Sequence, residues 1–313
     1  MYKRILKMSA SLIFTSAMQL AHAQETFPLY TQPIPGAKAA PNEEQTEQRD
    51  GITLVSRISQ PTLTVYRPAP EVNTGTTVIV VPGGGYWVNA ISHEGTDVAH
   101  ELVKWGITAV VLKYRIPDDR TMDNRAFGPL QDAQQAMYTV RSRAAAWGIH
   151  PQRIGIMGFS AGGHLASTLG THFSQPLLPA FQNSSLRPDF MILVYPVISF
   201  RDDIGHRGSR EQLLGKNPAP DLVASFSNET KVDRQTPPAF LVHATDDQGV
   251  LPENSVAFYQ ALRAAGVPAE MHLYQSGGHG FGMENRTTED RWMDRLRHWM
   301  KSNGWLSPET QKK

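Results

Sequence analysis

The chain of 313 residues contains no cysteine, which excludes disulfides and thiolate metal sites. It has no excess of either charge: 30 Lys and Arg stand against 29 Asp and Glu. No basic arm or patch interrupts that balance, so nucleic acid is not an expected partner. No H-E-x-x-H occurs, and the His93-Glu94 pair lacks a second His at helical spacing, so no metal is expected. No Walker lysine follows the one glycine run, and its spacing is not G-x-G-x-x-G, so a phosphate cradle is not expected either. No cofactor is called for. Long apolar runs are also missing. The run from Met8 to Leu20 is shorter than the roughly 20 apolar residues of a membrane span, and it contains Ser, Thr and Gln.

What that run does have is a basic start, Lys3, Arg4 and Lys7, and an Ala21-His22-Ala23 end. These features read as a secretory signal peptide cut after Ala23, and an export route to a periplasm or the extracellular space. No stable membrane insertion is expected after cleavage. Residues 24–50 are rich in Pro, Gln and Glu and lack periodicity, and they read as an extended arm, lying over the domain or partly mobile. Residues 51–313 then suit a single α/β domain with a full core.

Within that domain, strand-like runs occur at Ile52–Ile58, Thr62–Arg67, Thr76–Val81, Thr108–Tyr114, Arg153–Gly158, Phe190–Tyr195, Ala239–His243 and Glu270–Tyr274. Several are continuously apolar, as in Val78-Ile79-Val80-Val81, which suits strands covered on both faces. Helical patterns alternate with them at Gly95–Trp105, Gly128–Trp147, Ala161–Phe173, Glu253–Ala265 and Glu289–Asn303. The fold class is therefore α/β: a mainly parallel central sheet flanked by helices on both faces, with the two leading strands as an antiparallel edge. Residues 197–237 break the rhythm with Pro, Asp, Arg and Ser and a single helical fragment, Ser209–Leu214. They read as a lid or pocket wall, or as a long surface loop.

Gly158-Phe159-Ser160-Ala161-Gly162 fits G-x-S-x-G between a buried strand and a helix. Glycines permit the sharp turn that exposes a nucleophilic Ser160 at the strand end. A serine hydroxyl needs an adjacent base, and the base needs an orienting acid. Downstream, each after a strand candidate, come the acids Asp246 and Asp247 and the glycine-flanked base His279, in the order expected for a nucleophile on such an elbow. His164 and His243 read as packed structural residues, and His93 as a residue near the pocket. Attack on an ester carbonyl creates an oxyanion that backbone N–H groups must meet. Candidate donors are Ala161 and one or both of Gly84 and Gly85, in Val81-Pro82-Gly83-Gly84-Gly85-Tyr86-Trp87. Tyr86 and Trp87 either stack on a substrate ring or simply pack.

As a set, several stretches resemble α/β-hydrolase fold esterases, in particular bacterial exported esterases that include acetylxylan and feruloyl esterases. They are Val80 to Tyr86, His93-Glu94-Gly95, Leu112 to Arg115, Gly158 to Ala166, Thr236 to Phe240 and Gly277 to Gly282. The resemblance runs from about Thr76 to Asn303. In such enzymes the acid stands four residues after a histidine, and counting from His243 gives Asp247. The Pro-Gly-Gly-Gly start replaces the His-Gly-Gly of many lipases. The resemblance implies a metal-free serine hydrolase with a small-molecule or oligosaccharide ester as substrate, often an acetylated plant polysaccharide. Alternatives are a general short-chain carboxylesterase, a feruloyl esterase, a serine peptidase or a non-catalytic carbohydrate-binding protein.

Overall fold

The computed structural model describes residues 24–31 and 33–306, so the expected signal peptide lies outside the described residues. The main sheet holds eight strands in the order β1-β4-β7-β5-β8-β9-β10-β11. These are β1 (Gln24–Pro28), β4 (Thr62–Tyr66), β5 (Thr77–Val81), β7 (Thr108–Lys113), β8 (Ile154–Phe159), β9 (Met191–Val194), β10 (Ala239–Ala244) and β11 (Ala269–Tyr274). From β7 to β11 every pairing is parallel, while β4 runs antiparallel to β7 and β1 antiparallel to β4. A second, antiparallel sheet joins β2 (Gln45–Arg49), β3 (Ile52–Ser56) and β6 (Val88–Ala90).

The antiparallel edge is present, but its composition differs from expectation. Of the two leading strands, only Thr62–Tyr66 enters the main sheet, and Ile52–Ser56 belongs to the second one. The outer edge strand is β1, from the segment read as an arm. That segment also supplies β2, and neither strand carries an alternating pattern: β2 is exposed at every residue. The arm is further held at the buried ion pair of Arg115 and Asp132 (Nη2–Oδ1 2.8 Å). The Tyr30 hydroxyl donates to Asp132 at 2.9 Å, and the Arg115 guanidinium donates to the Pro35 carbonyl at 3.0 Å.

Helices cover both faces. On one side lie α2 (Gly128–Ser142), α3 (Ala144–Trp147), α4 (Ser160–His172) and α7 (Glu253–Ala264), on the other α1 (Asp97–Lys104) and α8 (Trp292–Ser302). Strand β5 shows why its sequence is apolar throughout. Ile79 and Val81 face the first layer, Val78 and Val80 the second, and all are fully buried. Burying each such side chain contributes about 1.5–3 kcal/mol. The helix expected over Gly128–Trp147 breaks at Arg143, where the backbone turns to φ −95°, ψ 5°. Among the described residues no helix is long and apolar enough to cross a membrane.

Residues 197–237 contain two α-helices where the sequence suggested one helical fragment, α5 (Arg207–Leu214) and α6 (Pro220–Ser225), and a 3-10 turn at Asn228–Lys231. The short α6 was hidden because its Pro220 start reads as a loop signal. The segment is fastened to the domain by Asn228, whose amide donates to Ser167 Oγ (2.8 Å) and Thr168 Oγ1 (3.0 Å) of α4. Asn254 of α7 fastens the other end by accepting from the Ile198 and Ser199 N–H groups, both at 3.0 Å.

Candidate active site

Strands β5, β8, β9, β10 and β11 are consecutive neighbours and point the same way. Their carboxyl ends therefore deliver five loops to one edge of the sheet, the edge where open α/β sheets bind ligands. The chemistry-bearing residues picked from the sequence sit on four of these loops.

At the end of β8, Phe159 is extended (φ −113°) and Ser160 flips to φ +50° before α4 begins. A non-glycine residue in that region costs about 1–3 kcal/mol, which the surrounding packing must hold. The flip presses α4 against the end of β5. A Cβ on Gly162 would collide with the Val81 and Pro82 carbonyl oxygens, and one on Gly158 with the Gly162 carbonyl. Only glycine permits those approaches.

Ser160 Oγ lies 2.8 Å from His279 Nε2, and His279 Nδ1 lies 2.7 Å from Asp247 Oδ2. Asp247 is fully buried, and its other oxygen accepts the Gly249 and Val250 N–H groups, both at 2.9 Å. Burial works to raise this carboxyl's pKa. Hydrogen bonds from His243 and His279, the imidazole charge and the Val250 amide outweigh it and hold the group well below the usual carboxylate range. An ionised Asp247 accepts the hydrogen bond of the His279 Nδ1–H, which leaves the Nε2 lone pair facing the Ser160 hydroxyl. Asp246, by contrast, is exposed and accepts the Gly278 N–H at 2.8 Å, so it pins the loop that carries His279 without touching the imidazole.

On the glycine run, the Gly83 N–H is taken by Glu94 Oε2 at 2.8 Å. The N–H groups of Gly84 and Gly85 have no acceptor among the described residues. Ala161 stands in the first turn of α4, where backbone N–H groups have no intrahelical acceptor. These three N–H groups are thus unspent, one directly after Ser160 and two on the glycine run that meets Ser160 at Gly83.

Tyr86 needs correction as a stacking candidate. It is buried, at 1% exposure, with its hydroxyl on His164 Nδ1, so its ring is not available to a substrate. Trp87 is 59% exposed and remains available. His93 Nε2–H donates to the Gly280 carbonyl oxygen at 2.9 Å. His93 also lines a cavity of about 410 Å³ with Gly277, Phe281 and Arg286, and neither Ser160 nor His279 lines that cavity.

Two features were not legible in advance. His243 lies behind the acid: its Nε2 is 3.1 Å from Asp247 Oδ2, and its Nδ1 is 2.8 Å from Ser255 Oγ. The four-residue spacing that singled out Asp247 is the signal that would have revealed this contact. The second is the buried pair of Glu94 and Tyr195, which lies between the glycine run and the His279 loop. Among the described residues no group of three His, Asp or Glu side chains is arranged to hold a metal ion.

A mainly parallel sheet with Ser160, Asp247 and His279 at the carboxyl ends of β8, β10 and β11 has the arrangement of an α/β hydrolase fold. The chain belongs to the BD-FAE family, whose model matches residues 63–262. It is 38% identical over 239 residues to an acetylxylan esterase of Xylanibacter ruminicola, a match covering 74% of this chain and 47% of that protein. It is 37% identical over 211 residues to endo-1,4-beta-xylanase B of Butyrivibrio fibrisolvens, covering 66% of this chain and 33% of that protein. The matches thus span about half and a third of those two relatives. The crystal structure of an acetyl ester-xyloside bifunctional hydrolase from Caldicellulosiruptor lactoaceticus superposes with a TM-score of 0.78 at 36% identity. That match covers 90% of this chain and 97% of the other.

Proposed function

We propose that this chain is a serine carboxylic-ester hydrolase that removes acetyl groups from plant polysaccharides or oligosaccharides through an acyl-enzyme. The observation that carries the reading is the 2.8 Å contact of Ser160 Oγ with an imidazole whose far nitrogen meets a buried carboxylate at 2.7 Å. Ser160 Oγ attacks the ester carbonyl carbon while its proton passes to His279 Nε2, and Asp247 stabilises the imidazolium that forms. The oxyanion is met by the Ala161 N–H and by Gly84 or Gly85, already without competing acceptors. The sugar oxygen leaves with the proton from Nε2. Water then gives a proton to Nε2 and attacks the acyl carbon, acetate departs, and Ser160 recovers its proton. No step needs a metal, so a chelator should leave the rate unchanged.

The names of the relatives support an acetylated xylan as the substrate class. Exposed Trp87, next to Gly85, supports contact with a sugar ring. The basic start and apolar run of residues 1–23 support export. Acetate release from acetylated xylo-oligosaccharides, beside p-nitrophenyl acetate hydrolysis, tests the reading with the wild type and Ser160→Ala. Release from both substrates, lost in the variant, is expected. Activity on the aryl ester alone would favour a general short-chain carboxylesterase, and activity on neither would refute the esterase reading.

A further inference from the structure

We propose that Glu94, acting with Tyr195, is a positioning residue that sets the spacing between the oxyanion donors and His279 around Ser160; the proposal rests on the esterase reading above. Glu94 is 4% exposed, and its two oxygens face two different loops. Oε2 accepts the Gly83 N–H at 2.8 Å, on the loop after β5. Oε1 accepts the Tyr195 hydroxyl at 2.7 Å, on the turn after β9. The Tyr195 hydroxyl in turn accepts the Gly282 N–H at 2.9 Å, three residues beyond His279 on the loop after β11. One continuous chain of hydrogen bonds therefore runs from the glycine loop to the histidine loop.

The bridge is close to the reacting groups on both sides. A Cβ on Gly83 would stand 2.6 Å from Glu94 Oε2 and 3.0 Å from Ser160 Cβ, so the Gly83 backbone fills the space between the carboxyl and the nucleophile. The Tyr195 ring meets the His279 ring edge-on, with centroids 5.0 Å apart, and its own backbone is held at φ +35°. Burial, then the Glu94 charge, push the Tyr195 hydroxyl well above its usual pKa, so it remains a donor to Glu94. By occupying the Gly83 N–H, Glu94 also assigns the oxyanion to donors further along the loop. The neighbouring residue adds a second clasp: His93 Nε2 is 2.9 Å from the Gly280 carbonyl. The His93-Glu94 pair, read from the sequence as a poor metal motif near the pocket in a stretch shared with esterases, thus ties down both loops.

Steady-state kinetics on p-nitrophenyl acetate test this with the full chain, Glu94→Gln, Tyr195→Phe, the double variant and Ser160→Ala, with Tm measured for each. Glu94→Gln swaps one acceptor oxygen for a donor, which leaves the Tyr195 hydroxyl or the Gly83 N–H without its partner. Each single variant is expected to lose about 10- to 100-fold in kcat with KM little changed, because a small misplacement of reacting groups costs that much. The double variant is expected to be little worse than either, since both break one bridge. A lowered Tm with wild-type kcat, a change in KM alone, or additive losses would overturn the proposal. If Glu94→Gln does not fold, Tyr195→Phe, which loses only a hydroxyl, decides. Full activity in these variants while Ser160→Ala is dead refutes the positioning role alone. A wild type with no activity on any ester refutes the esterase reading and this proposal with it.

Discussion

The hydroxyl of Tyr86 donates to Nδ1 of His164 at 2.8 Å, tying the glycine run to the helix that follows Ser160. The other ring nitrogen, Nε2, donates to the Phe226 carbonyl at 2.9 Å, and the ring stacks on Phe200 with centroids 4.1 Å apart. His164 thus joins the β5 loop, α4 and the 197–237 segment through one neutral, fully buried imidazole. Burial lowers its pKa to about 3, despite the Phe226 carbonyl, which favours the charged form.

That shift makes His164 a source of acid sensitivity. In the unfolded chain the imidazole binds a proton near its ordinary value of 6.5, while in the folded chain it resists down to about 3. The unfolded state binds more protons between those limits, so stability falls as pH drops through that window, by about 1.4 kcal/mol per pH unit from this group. Denaturant unfolding from pH 7 to pH 4 should show a shallower pH slope for His164→Gln than for the wild type. Equal slopes would contradict the assignment.

Tyr86 and Trp87 are adjacent but should behave oppositely. Tyr86→Phe leaves the buried His164 Nδ1 without a donor and should cost about 1–3 kcal/mol of stability, with KM unchanged. Trp87→Ala should leave Tm nearly unchanged. It should raise KM for an oligosaccharide ester by roughly fivefold, the equivalent of a contact of about 1 kcal/mol. Thermal unfolding and KM on acetylated xylo-oligosaccharides read both effects.

The two neighbouring aspartates should separate as clearly. Asp247→Asn removes the acceptor that fixes the His279 tautomer, and about a 10⁴-fold loss in kcat is expected. Asp246→Asn weakens only the Gly278 contact and should cost less than about 1 kcal/mol of stability, with kcat close to wild type. Because the Asp247 carboxyl is held well below the usual range, it stays ionised above its ordinary pKa, and its stabilising contacts are lost only as pH falls through the lowered value. The acid limb of the pH–rate profile at mildly acidic pH should therefore not come from Asp247. Kinetics of both variants across pH check this.

The N-terminal segment should contribute to folding through Tyr30, Pro35 and the ion pair they cover. Asp132→Ala leaves a buried Arg115 guanidinium without its counter-charge, and a loss of about 3–5 kcal/mol is expected in denaturant unfolding. A loss below 1 kcal/mol would mean that the pair is not closed in solution.

The parallel strands and the elbow were legible because both faces of β5 and β8 are covered, and because a glycine is required wherever α4 meets β5. The edge strands were not. β2 packs neither face, so its residues carry no alternation, and β1 is recruited by pairing with β4 rather than by its own pattern. Ser160, His279 and the acidic pair stood out because each follows a strand run at a loop rich in glycine or aspartate. Tyr86 misled because an aromatic residue beside a glycine run looks the same in sequence whether it faces a ligand or the core. Its φ of +65° turns it inward. Glu94 and Tyr195 lie 101 residues apart, and only the fold brings them together.

The most direct measurement is covalent labelling with a fluorophosphonate, followed by peptide mass spectrometry. The account predicts a single adduct on Ser160, absent in Ser160→Ala and greatly slowed in a variant with His279→Ala. No adduct on the folded wild type, or an adduct that persists in Ser160→Ala, would contradict the nucleophile on which the whole mechanism depends.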